Sequence, residues 1–437
     1  MKSAILLVPL GAALLLAGCG ETAKLPLAAG VGPAPTLPEP TRTLIPTVNV
    51  ADAAGWPAGA TPRAAEGLEV RAFATGLDHP RWLLTLPNGD VLVAESAAPK
   101  PPPQYKDKSL KTFFMRLFME KAGSAVPSAE RITLLRDSDG DGSAEFRSPL
   151  LTGLSSPFGM ALVGDTLYVA NADALVAFPY SAGQTRIDAP GRVIAALPAQ
   201  RNHHWTKSLV ASPDGRRLYV GVGSNSNVAE HGMDEEEGRA AVWEIDPGSG
   251  THRIFASGLR NPVGLAFMPG SEHLYAVVNE RDELGSDLVP DYLTRVQDGA
   301  FYGWPWSYYG QHVDSRPKPP RPDMVARAVV PDFALGPHVA SLGLAFASGN
   351  RLGTPFGTGA FIGEHGSWNR DPPSGYRVVF VPFESGRPSG LPVTILDGFL
   401  DGRGKAYGRP VGVQLARDGA LLVADDVGNT IWRVSAR

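Results

Sequence analysis

One phrase recurs six times between Gly67 and the C-terminus, and this repetition constrains the fold of the 437-residue chain more than any other property. The phrase is a polar turn, often Gly-Leu-x-x-Pro, then an apolar strand, a turn such as Pro-x-Gly, and a second apolar strand. Its copies run from Gly76 to Ala94, Gly153 to Ala170, Ser208 to Gly221, Gly258 to Val277, Ser341 to Ile362 and Gly408 to Ala424. The third lacks the Gly-Leu start and the fifth is degenerate. Repetition at such a period marks a unit that buries its apolar surface only by stacking on its neighbours.

Six strand pairs, each followed by chain enough for two more strands, predict an all-β fold: a six-bladed β-propeller of four-stranded antiparallel blades over residues 67–437. Each repeat takes about 62 residues, against about 40–45 in WD40-type repeats, so the excess belongs in loops. The 50 glycines and 40 prolines supply the turns and leave little room for long helices. Short strands around Leu68–Phe73 and Ile431–Val434 are expected to share one blade and so remove an exposed edge. One stretch breaks the β pattern. Between residues 106 and 122, Leu110, Phe113, Phe114, Leu117 and Phe118 fall on one helical face with Lys and Arg between them, which predicts a short helical insertion. Such a helix more often packs over its own domain than touches a membrane or a redox partner.

Residues 1–19 read as a lipoprotein signal peptide. Lys2 precedes an apolar run from Ala4 to Ala17, too short to span a bilayer and suited to a signal core. The run ends in Leu16-Ala17-Gly18-Cys19, which resembles a bacterial lipobox, and Cys19 is the only cysteine. Gly20 follows it in place of the aspartate of an inner-membrane retention signal. The expectation is an exported protein at the periplasmic face of a bacterial membrane, in the outer membrane by this reading, anchored by lipid alone. Residues 20–66, rich in Pro and Ala, read as a tether between lipid and domain.

Composition narrows the partners. With 40 basic and 44 acidic side chains the net charge is -4, so no nucleic-acid-coating face is expected. No Cys-x-x-Cys-His occurs, so electrons from any redox chemistry must leave to an external acceptor, a quinone or a cytochrome. In a propeller the turns entering the innermost strands converge on one mouth of the axis. Arg81, His203, His204, Arg260, Asn261, His338 and Arg409 stand at such turns. Guanidinium groups meeting there suit an anionic ligand rich in carboxylates, and a histidine among them suits a general base.

Two phrases then make a family resemblance. Arg260-Asn261-Pro262-Val263-Gly264-Leu265-Ala266-Phe267, with Asn279-Glu280, Asp282-Glu283 and Tyr302-Gly303-Trp304-Pro305 downstream, resembles the soluble pyrroloquinoline-quinone (PQQ)-dependent glucose/sorbosone dehydrogenase family. Gly363-Glu364-His365-Gly366-Ser367-Trp368-Asn369-Arg370 is similar to its sorbosone-dehydrogenase-like branch. The resemblance implies a six-bladed propeller that binds PQQ over the axis and oxidises a sugar or aldehyde by hydride transfer. It implies His204 as the base, with His203 adjacent, and Arg260, Asn261, Arg370 and Arg409 as cofactor contacts. It also implies an active-site Ca2+ held by backbone carbonyls, which here would be those of Glu280 and Arg281, although glucose enzymes carry Gly-Pro at that place. A family aspartate aligns with Ser224.

Separately, Asp137, Asp139 and Asp141, with Glu145 beyond, resemble the start of a calcium loop and read equally as an acidic hairpin turn. Two rival functions stay open at this level: a calcium-dependent lactonase-like hydrolase using Asn261, Asn279 and Glu280, and a propeller that binds sugar or peptide without turnover.

Overall fold

The computed structural model describes residues 20–43, 47–105 and 110–437, so Cys19 and the signal sequence lie outside the described residues. The chain forms six antiparallel sheets about one axis. The innermost strands are Pro80–Thr85, Met160–Val163, Lys207–Ala211, Asn261–Phe267, Ser341–Phe346 and Pro410–Leu415, one from each copy of the repeated phrase. Each pairs with the second strand of its own phrase, and two outer strands complete the blade. The sixth blade is closed by both ends of the domain, since Leu68–Ala74 pairs antiparallel with Thr430–Ala436. That strand exchange is the one expected from the terminal sequences.

The central strands are apolar on both faces because both faces meet another blade. In Leu218–Val222, Leu218, Val220 and Val222 pack toward blade two, whereas Tyr219 packs toward blade four. The same division repeats around the ring, with Tyr275 and Val277 between blades four and five and Leu422 and Ala424 between six and one. The core is therefore six wedges between neighbouring sheets.

Buried carboxylates at the ends of the second strands tie the turns together. Glu95 accepts from the backbone N–H of Asp78 and from Arg131. Glu364 accepts from Arg377 at 2.7 Å. Asp425 takes the N–H of Arg409 and the indole N–H groups of Trp56 and Trp432 at 2.8, 2.7 and 3.0 Å. Glu95 and Asp425 thus fix the turns that enter innermost strands, and Glu364 ties the second strand of blade five to the start of its third.

The expected helix forms as α1, Leu110–Lys121, inside the loop that joins the second and third strands of blade one. No helix among the described residues is long and apolar enough to cross a membrane.

Residues 20–66 differ from the tether expected of their composition. Val31–Gly32 adds an edge strand to blade four and Arg63–Ala64 adds one to blade five. Between them the chain crosses the propeller face as a strap: Asn49 N–H donates to Trp368 O at 2.8 Å, Ala53 N–H to Lys121 O at 2.7 Å and Ala54 N–H to Ala406 O at 2.7 Å. The Pro-rich composition does produce an extended chain, but an extended chain still carries unpaired N–H and C=O groups. Sheet edges and loop carbonyls satisfy them. Trp56 pins the strap, with its ring 5.5 Å from Phe399 and 5.3 Å from Trp432. Replacing Trp56 with Ala is expected to cost about 2–4 kcal/mol, through the lost ring contacts and one of the two indole hydrogen bonds to Asp425, and to lower the denaturation midpoint in urea.

Candidate active site

All six innermost strands start at the same end of the axis. Their first residues and the loops after the second strands therefore share one mouth. A closed circuit of contacts runs round it. Trp205, ahead of blade three's inner strand, lies under the Arg81 guanidinium of blade one, 5.9 Å from ring centroid to Cζ. Arg81 pairs with Asp426 of blade six, and Asp426 lies 2.9 Å from His365 Nε2 of blade five. The same blade-five loop supplies Asn369, whose amide donates to Asp282 of blade four at 2.5 Å. Asp282 takes Arg260 at 3.2 Å, and the Arg260 charge acts on His204 of blade three.

His204 is held as a neutral base. Its Nδ1–H donates to Ser224 O at 2.8 Å and lies 3.0 Å from Ser224 Oγ, which itself donates to Ser226 O. That bond assigns the proton to Nδ1 and leaves the Nε2 lone pair free to accept. Burial, then the Arg260 guanidinium and His203, push the imidazole well below its ordinary pKa of 6.5. The turn carrying it is anchored from below by Lys207, which is fully buried and donates to Asn202 Oδ1 at 3.0 Å and Trp205 O at 3.1 Å. Gly223 lets His204 and Asn261 close on each other: a Cβ there would overlap Asn261 Oδ1 and lie 2.5 Å from His204 Cβ. His203 stands beside it with ring centroids 4.7 Å apart and faces the open mouth.

The arginines fall into two kinds. Arg260 is locked, donating to Glu280 O at 2.7 Å and to Asn227 and Asp282. Arg81 and Arg409 keep donors in hand: among the described residues, their buried Nε atoms have no acceptor, and Asn261 Oδ1 and Asn369 Oδ1 have no donor. Arg409 lies over the Tyr376 ring at 5.0 Å and donates to Ala51 O of the strap at 3.2 Å. Two aspartates, Asp426 buried and Asp282 half-buried, hold this charge in place. Burial resists ionisation of Asp426, but His365, His79 and Arg81 outweigh it and keep the carboxylate charged far below its usual range. Burial pushes His365 down to about 4 against the pull of Asp426. Asp282 is likewise held low, by Arg260 and by His338 and Asn369 against burial. His338 moves the other way: burial disfavours its charge, yet Asp282 raises its pKa, and its Nε2–H donates to Gly285 O at 3.0 Å.

His204, Arg260, Asn261 and Arg409 thus meet at one mouth. Three other expectations do not match the geometry. Arg370 is buried in the blade-five loop that carries Asn369, and its guanidinium is turned to the protein, donating to Ser286 O at 3.0 Å and Pro372 O at 2.7 Å with Asp287 3.7 Å away. The Glu280 carbonyl carries the Arg260 guanidinium, and a Ca2+ on that oxygen would stand beside a fixed positive charge. Arg281 is enclosed by Glu280, Asp314, Pro305 O and Ser307 O and braces the loop. These residues do not fit a calcium ion in the expected way.

Asp137, Asp139 and Asp141 do come together, with Glu145, each offering an oxygen within 4.8 Å of the others. They form a hairpin turn between the outer strands of blade one, at the end away from the mouth, with Asp137 accepting from Gly140 and Gly142 N–H.

The residues missed by sequence are the ones that complete the circuit: His79, His365 and Asp426, together with Trp205, Tyr376 and Asn369. Their signal was present. Asp425-Asp426 follows the second strand of its repeat just as Asn279-Glu280, Glu364-His365 and Glu95-Ser96 follow theirs. Superposing the repeats on the strand ends exposes that position.

These features define a six-bladed propeller whose axial mouth combines a neutral imidazole with unsatisfied guanidinium donors. A TrAA12-like family model matches residues 131–292 and 323–437. The chain belongs to the TrAA12-like family. It is 30% identical over 246 residues to an uncharacterized protein of Borreliella burgdorferi, covering 56% of this chain and 64% of the relative. It is 27% identical over 222 residues to a pyrroloquinoline quinone-dependent pyranose dehydrogenase of Coprinopsis cinerea, covering 41% of this chain and 30% of that enzyme. The chain spans less than two thirds of the length of these relatives. Among solved structures, the PQQ domain of the Coprinopsis enzyme in its holo form superposes with TM-score 0.68 at 20% identity, covering 89% of this chain and all of that domain. A calcium structure of a Trichoderma reesei family AA12 enzyme gives 0.70 at 20% identity, over 90% of this chain and 98% of that one. These likenesses establish the fold.

The neutral histidines set an acid limit on stability. His79, His204 and His365 bind protons less readily folded than unfolded, so the stability they permit is present above pH 6.5 and lost as pH falls below it. Taking His365 alone from 6.5 to about 4 implies a loss on the order of 3 kcal/mol by pH 4. Thermal unfolding followed from pH 7 to 4 should show a falling midpoint, less steep in His365→Asn. A Gly223→Ala substitution is expected to leave the fold intact and to prise His204 from Asn261, seen as a shift of the His204 ring resonances in NMR spectra.

Proposed function

We propose that the protein is a PQQ-dependent dehydrogenase of aldoses or related sugar aldehydes, sorbosone-like or glucose-like. By this reading it is lipid-anchored through Cys19 at the periplasmic face of the membrane and hands electrons to an external acceptor. The observation that carries the reading is the mouth itself: His204 held neutral with a free Nε2, beside buried Arg81 and Arg409 donors that lack acceptors. Membership of the TrAA12-like family and the PQQ-dependent pyranose dehydrogenase among its relatives support it.

PQQ, when bound, supplies a two-electron acceptor for hydride from the sugar's anomeric carbon. Its carboxylates match the free Nε–H groups of Arg81 and Arg409, and Asn261 and Asn369 offer amide groups beside them. His204 Nε2 takes the proton of the substrate hydroxyl while Ser224 O holds Nδ1–H, so the imidazolium that forms keeps its hydrogen bond. Arg260, fixed by Glu280 O and Asp282, contributes a permanent positive field that stabilises negative charge developing in the mouth. The lactonase alternative would need Asn261, Asn279 and Glu280 around one cation, and the Arg260 guanidinium, donating to Glu280 O at 2.7 Å, sets a fixed positive charge against a cation there.

Adding PQQ to the purified protein, with and without Ca2+, and assaying aldoses with an artificial electron acceptor tests this reading. His204→Ala should lower turnover about 10²–10⁴-fold while leaving quinone affinity nearly unchanged. Arg81→Ala and Arg409→Ala should weaken quinone binding, whereas Arg370→Ala should act on stability instead. The acid limb of kcat/KM should lie well below pH 6.5, because the base stays neutral there. A protein that leaves the absorption spectrum of the quinone unaltered would refute the reading.

A further inference from the structure

Gly20, the residue after Cys19, is packed against Thr47 on the mouth face. The residues that follow are stapled there. Ser286 Oγ donates to Glu21 O at 2.6 Å, Ala23 N–H to Asp371 O at 2.7 Å and Lys24 N–H to Asp287 Oδ2 at 2.7 Å. One residue spans about 3.8 Å, so acyl chains on Cys19 would leave the protein at the mouth face itself, with no free tether between them and the fold.

The strap continues over blades five and six and meets the far end of α1, where Ala53 N–H donates to Lys121 O. In the same insertion Leu117, Met119 and Val126 are 40%, 45% and 39% exposed, three large apolar side chains within ten positions. Arg116 and Lys121 are exposed among them, and the segment from Lys106 to Val126 is basic overall.

We infer that the rim of the mouth from blade four round to blade one, made by the strap and the α1 insertion, lies against an anionic lipid bilayer, with Leu117 and Val126 in its interfacial layer. Apolar side chains interleaved with cations suit the headgroup boundary, and a basic patch added to an acyl anchor gives stable attachment where one signal alone is marginal. The opposite side of the mouth stays open to water. There the rim is lowest, because blade two's second and third strands are joined by Asn171–Asp173 alone, and exposed His203 stands close by. A polar substrate enters from that side. This orientation depends on acylation of Cys19 and is independent of which cofactor the mouth holds.

The test uses the full-length chain in vesicles of phosphatidylcholine and phosphatidylglycerol. With Cys19 consumed by lipid, Leu117→Cys, Val126→Cys and, at the opposite end, Leu391→Cys (native Leu391 is 63% exposed) each provide the sole free thiol for an environment-sensitive fluorophore. The Leu117 and Val126 probes should shift to the blue and lose most of their emission to spin-labelled lipid, while the Leu391 probe does neither. Unquenched Leu117 and Val126 on vesicle-bound protein, equal quenching at Leu391, protection of the patch by a protein partner, or a free Cys19 thiol by mass spectrometry would each overturn the inference. No quinone or sugar is present, so the result is separate from that of the dehydrogenase assay.

Discussion

Like charges that converge on an axis repel one another, and this mouth exists because two aspartates hold its arginines and histidines together. Asp426 binds Arg81, His79 and His365; Asp282 binds Arg260, His338 and Asn369. Asp426 of blade six takes partners from blades one and five, and Asp282 ties the entry of its own blade four to blade five. The electrostatic arrangement and the closure of the ring are therefore one constraint. A blade that shifted would leave a buried carboxylate short of cations, which costs several kcal/mol, so the mouth is both the least tolerant part of the ring and the part with a function.

The same pairing sorts the ionisable groups by role. Arg260 is held at all three guanidinium nitrogens and acts through its field, whereas Arg81 and Arg409 retain buried Nε–H groups with no acceptor among the described residues. The histidines divide as well. Next to Asp282, His338 gains proton affinity, while His204, with a carbonyl and an arginine for neighbours, loses it. The carbonyl and hydroxyl of Ser224 are the groups that orient His204. A neutral partner there keeps the imidazole uncharged, and a carboxylate would raise its pKa.

The strap changes what residues 20–66 mean. Composition alone reads as a spacer, yet Ala51 O contacts Arg409, Asn49 the carbonyl of Arg370, and Trp56 the carboxylate that holds Arg409's own N–H. The segment belongs to the wall of the site.

The propeller was legible from the chain because its blades repeat: strand alternation and turn chemistry are local, and six copies of one phrase leave few ways to bury their apolar faces. His204, Arg260, Asn261 and Arg409 were legible for the same reason, since each precedes a repeated strand. Arg370 sits among site residues in sequence, but its direction depends on the Ser286 and Pro372 carbonyls, which no local pattern reveals. The Glu280 carbonyl meets Arg260 across the paired ends of two strands of blade four, where Asn261 faces Asn279, and the direction of that side chain is likewise absent from any local pattern. What the chain determined on its own was the set of side chains delivered to one end of an axis. Which of them face inward, which pair off and which stay free was decided only by closure of the ring, because those partners lie tens to hundreds of residues apart and meet through packing alone.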